Sequence, residues 1–299
     1  MRRHLILFIF VLGILSCGKK APPKLPHYER PPAPKSISAI HREDKIYLNW
    51  TYTGKISLLE GFSVLRSDDG GGFKKITSVK ETSYSEVVEP KRHYKYRVSA
   101  RTIEGIEGEP SEPIEIYIKE VPPPPIGVSF SIGNEYITIR WGHIENGVLF
   151  NIYKGTNGVD YALSPINKTP IQETEFNDLI DTNSPVKYII RALRGSELRD
   201  ESAPSSVIVI GPEDFVPSPP TKVRVVKAEG ASVIEWAENP ERWVRGYRIY
   251  RIKNSEMSLI GESPTPAFID ISPPEGVSYR VSALGPVKEG ALSLEAVPK

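Results

Sequence analysis

The 299-residue chain contains a single cysteine. That excludes an internal disulfide framework, so any folded part owes its stability to apolar cores. Net charge is equally scarce: 38 Lys and Arg against 37 Asp and Glu leave +1 at pH 7. No global field exists to draw the chain to a polyanion, and no nucleic-acid partner is expected. Histidine is rare, with five residues, and none stands at i+2, i+3 or i+4 from another. Histidine-based metal spacing is therefore absent, and all five read as surface or loop residues. The apolar run at residues 5–15 (LILFIFVLGIL) would rise only about 16 Å as a helix, short of the roughly 30 Å of a bilayer's hydrocarbon. A Gly-x-Ser-x-Gly elbow, a Walker-type loop and a dinucleotide fingerprint are all missing. No nucleophile stands beside a base, so neither an enzyme nor a cofactor is expected.

What is present begins with basic Met1-Arg2-Arg3-His4 ahead of that apolar run, the pattern of an export signal. The run ends in Ile14-Leu15-Ser16-Cys17, which places the only cysteine at the junction. This aliphatic-x-small-Cys ending resembles the lipobox of bacterial lipoproteins. The resemblance implies a cleaved signal peptide over 1–16, a covalent lipid on Cys17 and attachment to a membrane through that lipid. Gly18 is not the aspartate associated in such proteins with inner-membrane retention. This implies an outer-membrane address, facing the periplasm or the surface. Residues 18–35 (GKKAPPKLPHYERPPAPK) hold six prolines without apolar periodicity, the composition of a tether, assigned to 17–33 with the acylated cysteine.

The remaining chain repeats itself. Trp50, Trp141 and Trp236 each follow an aliphatic residue by two positions and lie 91 and 95 residues apart. Each is followed by GFSVLR (61–66), LFNIYK (149–154) or GYRIYR (246–251), and later by YRVSAR (96–101), YIIRAL (188–193) or YRVSAL (279–284). Tyr96, Tyr188 and Tyr279, which open the later segments, are 92 and 91 residues apart. Within each unit apolar residues alternate with period two, as Ile46, Leu48 and Trp50 do, and turn formers such as Asp68-Asp69-Gly70 separate the runs. That is the pattern of antiparallel strands, about seven to a unit, in a β-sandwich. Prolines, 28 in number and nearly twice ordinary usage, argue against a helical protein.

The Pro-rich lead-in, Leu-x-Trp, Gly-Tyr-x-Ile-Tyr-Arg, Tyr-Arg-Val-Ser-Ala and a Ser/Pro-led last strand resemble the fibronectin type III domain, the third unit most closely. The resemblance implies an all-β chain of three tandem immunoglobulin-like sandwiches, at 34–119, 120–211 and 212–299. Trp50, Trp141, Trp236, Tyr96, Tyr188 and Tyr279 are then structural core. Tyr94 fills the tyrosine-corner position, where the other units carry Val186 and Val277 and are expected to rely on apolar packing. Stiff Pro-rich linkers at 121–125 and 216–220 suggest a rod of three beads.

Trp243 alone falls outside the repeat, in a loop (238–245) with Arg242 and Arg245. It is the candidate contact for a partner or a sugar, the alternative being a ring folded onto its own unit or onto Phe215 in the linker. The expected function is a non-enzymatic, lipid-anchored spacer or protein-interaction scaffold of the cell envelope, with an envelope protein as partner. The rival reading is a carbohydrate- or peptidoglycan-binding accessory module, with a glycan as ligand.

Overall fold

The period-two segments form strands in a computed structural model that describes residues 30–156, 161–194 and 199–299. Cys17, with the whole signal and most of the tether, lies outside the described residues. The first unit contains β1 (Lys35–Arg42), β2 (Lys45–Thr51), β3 (Leu59–Asp68), β4 (Lys74–Val79), β5 (Ser83–Val87), β6 (His93–Thr102) and β7 (Ile114–Tyr117). Two antiparallel sheets result, β1-β2-β5 and β4-β3-β6-β7. The second unit has β8 (Ile126–Ile132), β9 (Tyr136–Gly142), β10 (Leu149–Thr156), β11 (Glu175–Leu179), β12 (Val186–Leu193) and β13 (Ile208–Ile210), arranged as β11-β9-β8 and β10-β12-β13. The third has β14 (Thr221–Ala228), β15 (Ala231–Ala237), β16 (Gly246–Lys253), β17 (Glu256–Ser263), β18 (Ala267–Ile271) and β19 (Ser278–Leu284), arranged as β14-β15-β18 and β17-β16-β19. These are three tandem fibronectin type III-like sandwiches.

Alternation decides which side chains fill them. Ile46, Leu48 and Trp50 of β2 point inward against Phe62, Val64, Tyr96 and Val98, and the second and third units repeat the scheme around Trp141 and Trp236. Each tryptophan meets an aromatic of the opposite sheet edge-on: Trp50 with Phe62, Trp141 with Phe150 and Trp236 with Tyr247. Such pairs add about 0.5–1.5 kcal/mol to the burial itself.

The expected seven strands appear in the first unit, whereas among the described residues the others have six each. Between β10 and β11 the chain carries Pro165 and Pro170, which lack the donors a ladder needs. Asn167 takes over part of the ladder there, its Oδ1 accepting from Ile152 N–H at 2.8 Å and its Nδ2 donating to the Phe150 carbonyl at 3.2 Å. After β19 the last segment pairs only at single bridges, Leu284 with Glu289 and Tyr279 with Ala296. One serine per unit pins this final segment: Ser111, Ser205 and Ser293 accept through Oγ from the N–H of Val98, Ile190 and Val281.

The Tyr94 hydroxyl accepts from Glu89 N–H at 3.2 Å, while Val186 and Val277 are simply buried. Tyr94→Phe removes that one bond and is expected to lower the stability of the first unit by about 1 kcal/mol. Chemical denaturation checks it, and an unchanged midpoint counts against the bond.

One linker residue sits elsewhere than its sequence position suggests. Phe215, within the third unit's span by spacing, is fully buried in the second unit's core. The short 3-10 turn at 212–214, where Gly211 N–H donates to the Asp214 carboxylate, turns the chain back so that its ring reaches that core.

Candidate functional site

The most heavily buried charges lie where the first unit meets the second. The turn between β1 and β2 extends the second unit's last segment through the main chain, Glu201 N–H donating to His41 O at 3.0 Å and Glu43 N–H to Glu201 O at 2.8 Å. The side chains close around this seam. Arg42 Nε donates to Glu201 Oε2 at 2.7 Å and its Nη2 to the Tyr153 hydroxyl at 2.9 Å, and the guanidinium lies over the Tyr153 ring. Glu201, 0% exposed, also accepts from Asn151 Nδ2 at 2.8 Å and from the Tyr153 hydroxyl. His41 Nδ1 lies 2.8 Å from Asp200 Oδ1, with both side chains buried. Arg191 Nη1 reaches Glu43 at 2.6 Å and the Ser202 carbonyl at 2.7 Å. His41 thus departs from the surface or loop placement its sequence context suggests, because the neighbouring unit covers it.

Electrostatics at the seam follow from burial. Burial disfavours the Arg42 charge, but Glu201 and Tyr153 more than offset it, and its pKa lies above the ordinary value. Burial, then Glu201, pushes the Tyr153 hydroxyl from an ordinary 10 up to about 12. Tyr153 therefore stays a neutral donor through the physiological range.

The internal repeat explains why this seam exists. Glu107, Glu201 and Glu289 occupy equivalent positions, bridging Arg101, Leu193 and Leu284. In the third unit Glu289 is satisfied within its own sandwich, by Arg248 at 2.7 Å, Tyr250 at 2.6 Å and Ser282 at 2.5 Å. In the first, Glu107 takes the Ser99 hydroxyl. The second unit carries Asn151 where the third has Arg248; its own Arg199 stands 3.9 Å from Glu201, and Arg42 of the preceding unit supplies the close cation at 2.7 Å. No sequence motif announces this; the signal is the spacing of the three glutamates, read together with the Asn151 for Arg248 exchange.

Trp243 joins the second unit to the third. Its ring is half-buried, stands edge-on to Phe215 at 5.4 Å between centroids, and packs on the second unit's core. Its Nε1 donates to the Gly133 carbonyl at 2.9 Å. Beside it Arg242 pairs with Glu135 at 2.7 Å, and its backbone N–H donates to the Asn134 carbonyl. The indole forms a wall between two shallow clefts of about 340 and 310 Å³.

A third set of charges recurs inside every sandwich. Tyr96, Tyr188 and Tyr279 are fully buried, and each donates its hydroxyl to a carboxylate of the facing sheet: Glu86 at 2.7 Å, Asp178 at 2.6 Å and Asp270 at 2.8 Å. Each carboxylate takes a cation as well, from Arg66, Lys154 and Arg251 respectively. Burial and then the carboxylate raise Tyr96 and Tyr188 well above the usual tyrosine range. Tyr279 is pushed up to about 12 by burial, with Asp270 adding to it. These triads tie the two sheets together and leave their carboxylates already engaged. The remaining core residues named from the sequence, Trp50, Trp141, Trp236 and Tyr94, are buried too. Among the described residues no three His, Cys, Asp or Glu side chains gather as a metal site.

No family model matches the chain, and no curated protein does. Among solved structures it is similar to the FN1–FN3 domains of chicken CNTN1, at 16% identity over 89% of this chain and 98% of that one, with a TM-score of 0.27. A superposition that loose carries no argument about arrangement or use. The assignment to tandem sandwiches rests on the sheets themselves.

Proposed function

We propose that the chain is a lipid-anchored, non-enzymatic protein of the cell envelope whose three sandwiches act together as a spacer or protein-interaction scaffold. The carrying observation is the seam between the first two units, where Arg42, Glu201, His41 and Asp200 are buried against one another across the unit boundary. Titratable groups of the kind catalysis draws on are spent here on holding neighbours in a fixed relation. The Trp243 junction does the same for the second and third units, which favours a scaffold over a glycan platform: the indole N–H is committed to Gly133 and the ring edge to Phe215. Lipid anchoring, and an outer-membrane location, are supported by the residues around Cys17 and by Gly18.

Cys17→Ser tests the anchor directly. The variant is expected to leave the detergent-soluble membrane fraction, or to accumulate with its signal uncleaved. Unchanged detergent-dependent membrane association refutes the lipid anchor.

A further inference from the structure

Three aliphatic side chains stand together at one end of the first unit. Ile56 and Leu58 lie on the 3-10 turn between β2 and β3, Ile103 on the turn between β6 and β7, and they are 62%, 50% and 62% exposed. The two turns are bonded to each other, Ile103 N–H donating to the Leu58 carbonyl at 3.1 Å. Nearby charges are largely paired, Arg101 with Glu60 at 3.1 Å and Arg30 with Glu109 at 2.8 Å. Lys55 and Glu104 remain exposed on the rim, one of each sign.

The chain enters the first unit at this same end. Besides the Arg30 to Glu109 pair, the Pro31 carbonyl packs so closely on Gly108 that a Cβ there would stand 2.4 Å from its oxygen. The equivalent glycine of the third unit, Gly290, receives the linker carbonyl of Pro217 at the same 2.4 Å. In the second and third units this end is also where the preceding unit docks: on Asp200 and Glu201 in one, on Arg242 and Trp243 in the other. What precedes the first unit is the segment leading back to Cys17, thirteen residues before Arg30.

We propose that this end of the first unit rests on the lipid bilayer, with Ile56, Leu58 and Ile103 entering its interfacial region. The inference depends on the lipid-anchor reading, since thirteen residues reach at most roughly 45 Å and so confine the unit to the neighbourhood of the surface. Three aliphatic side chains bind a membrane weakly from free solution. Tethering makes the contact intramolecular, and a weak contact then suffices. The bilayer thus occupies for the first unit the place that the preceding sandwich occupies for the other two.

The test uses full-length protein in vesicles of phosphatidylethanolamine and phosphatidylglycerol, with an environment-sensitive fluorescent amino acid encoded at Ser57 or, as a control, at exposed Ser258 on β17. Quenching by doxyl-labelled lipid is expected at position 57 and not at 258. The triple variant Ile56→Ser/Leu58→Ser/Ile103→Ser, checked for an unaltered melt, is expected to lower the docked-to-free ratio by about 100-fold, from the apolar burial lost. Equal quenching at the two positions, or a triple variant that quenches like the parent, overturns the proposal. So does shielding of position 57 in native envelopes but not in pure lipid, which assigns this end to a protein partner. Mass spectrometry of Cys17 reads the anchor separately. If it carries no lipid, coupling its thiol to a maleimide lipid restores the tether, and the same quenching still decides the docking.

Discussion

Glu201→Ala is expected to cost about 3–5 kcal/mol and to uncouple the first unit from the second, because it strands a buried guanidinium. In the intact chain Arg42 is held by Glu201 at 2.7 Å and Tyr153 at 2.9 Å, with a weaker contact to the Leu163 carbonyl at 3.3 Å. Removing the carboxylate leaves the cation two neutral partners. Asn151 Nδ2 and the Tyr153 hydroxyl lose their acceptor as well. The pair itself is a different matter: its attraction is largely offset by desolvation, so exchanging both charges for apolar groups is far milder than removing one. Glu201→Ala combined with Arg42→Met is therefore expected to recover much of the loss. Calorimetry reads both variants, the single one splitting or advancing the transition of the first two units. A single variant that melts like the parent refutes the lock. The lock also has an alkaline limit. Because the folded Tyr153 pKa is raised from 10 to about 12, its share of the stability is complete below about pH 10 and is lost as the pH climbs through 12.

The residues of this lock show what a single sequence hides. The sandwiches were legible because burial imposes period two on each strand, and because three copies at a near-constant spacing put Trp50, Trp141 and Trp236 in register. The strand count was less so, since the prolines at 165 and 170 replace a ladder with an asparagine side chain rather than with another strand. His41 reads from the sequence as a surface or loop histidine, and Arg42 and Glu43 beside it carry no motif. Their partners lie as far as 159 residues away in the chain, and nothing local marks them as buried. Trp243 stands out in the sequence as a tryptophan surplus to the repeat, with Phe215 of the linker as one alternative contact. Which unit the pair joins depended on how the 212–214 turn redirects the linker, a matter of backbone geometry that composition does not carry.

Trp236→Ala is expected to destabilise the third unit by about 3–5 kcal/mol, the usual cost of emptying an aromatic site in a core. The third core is the smallest of the three, and its tryptophan bridges the two sheets through Tyr247 at 5.0 Å. Little else is placed to collapse into the space, since Tyr247 is itself held by its hydroxyl accepting from Asn239 N–H at 3.1 Å. One effect works the other way: the indole Nε1 of Trp236 is buried without a partner, as are those of Trp50 and Trp141, and truncation relieves that unpaired donor. Trp236→Phe separates the two effects, because it keeps most of the ring and loses only the orphan N–H and some volume. It is accordingly expected to cost well under half as much as alanine. For a sandwich of this size each kcal/mol moves the midpoint by about 4–8 °C, so the alanine variant is expected to bring the third unit's transition down by about 12–40 °C. Trp236 belongs to the third core alone, so the transition of the first two units is expected to move far less. A third-unit transition that stays in place shows that the ring does not carry this core.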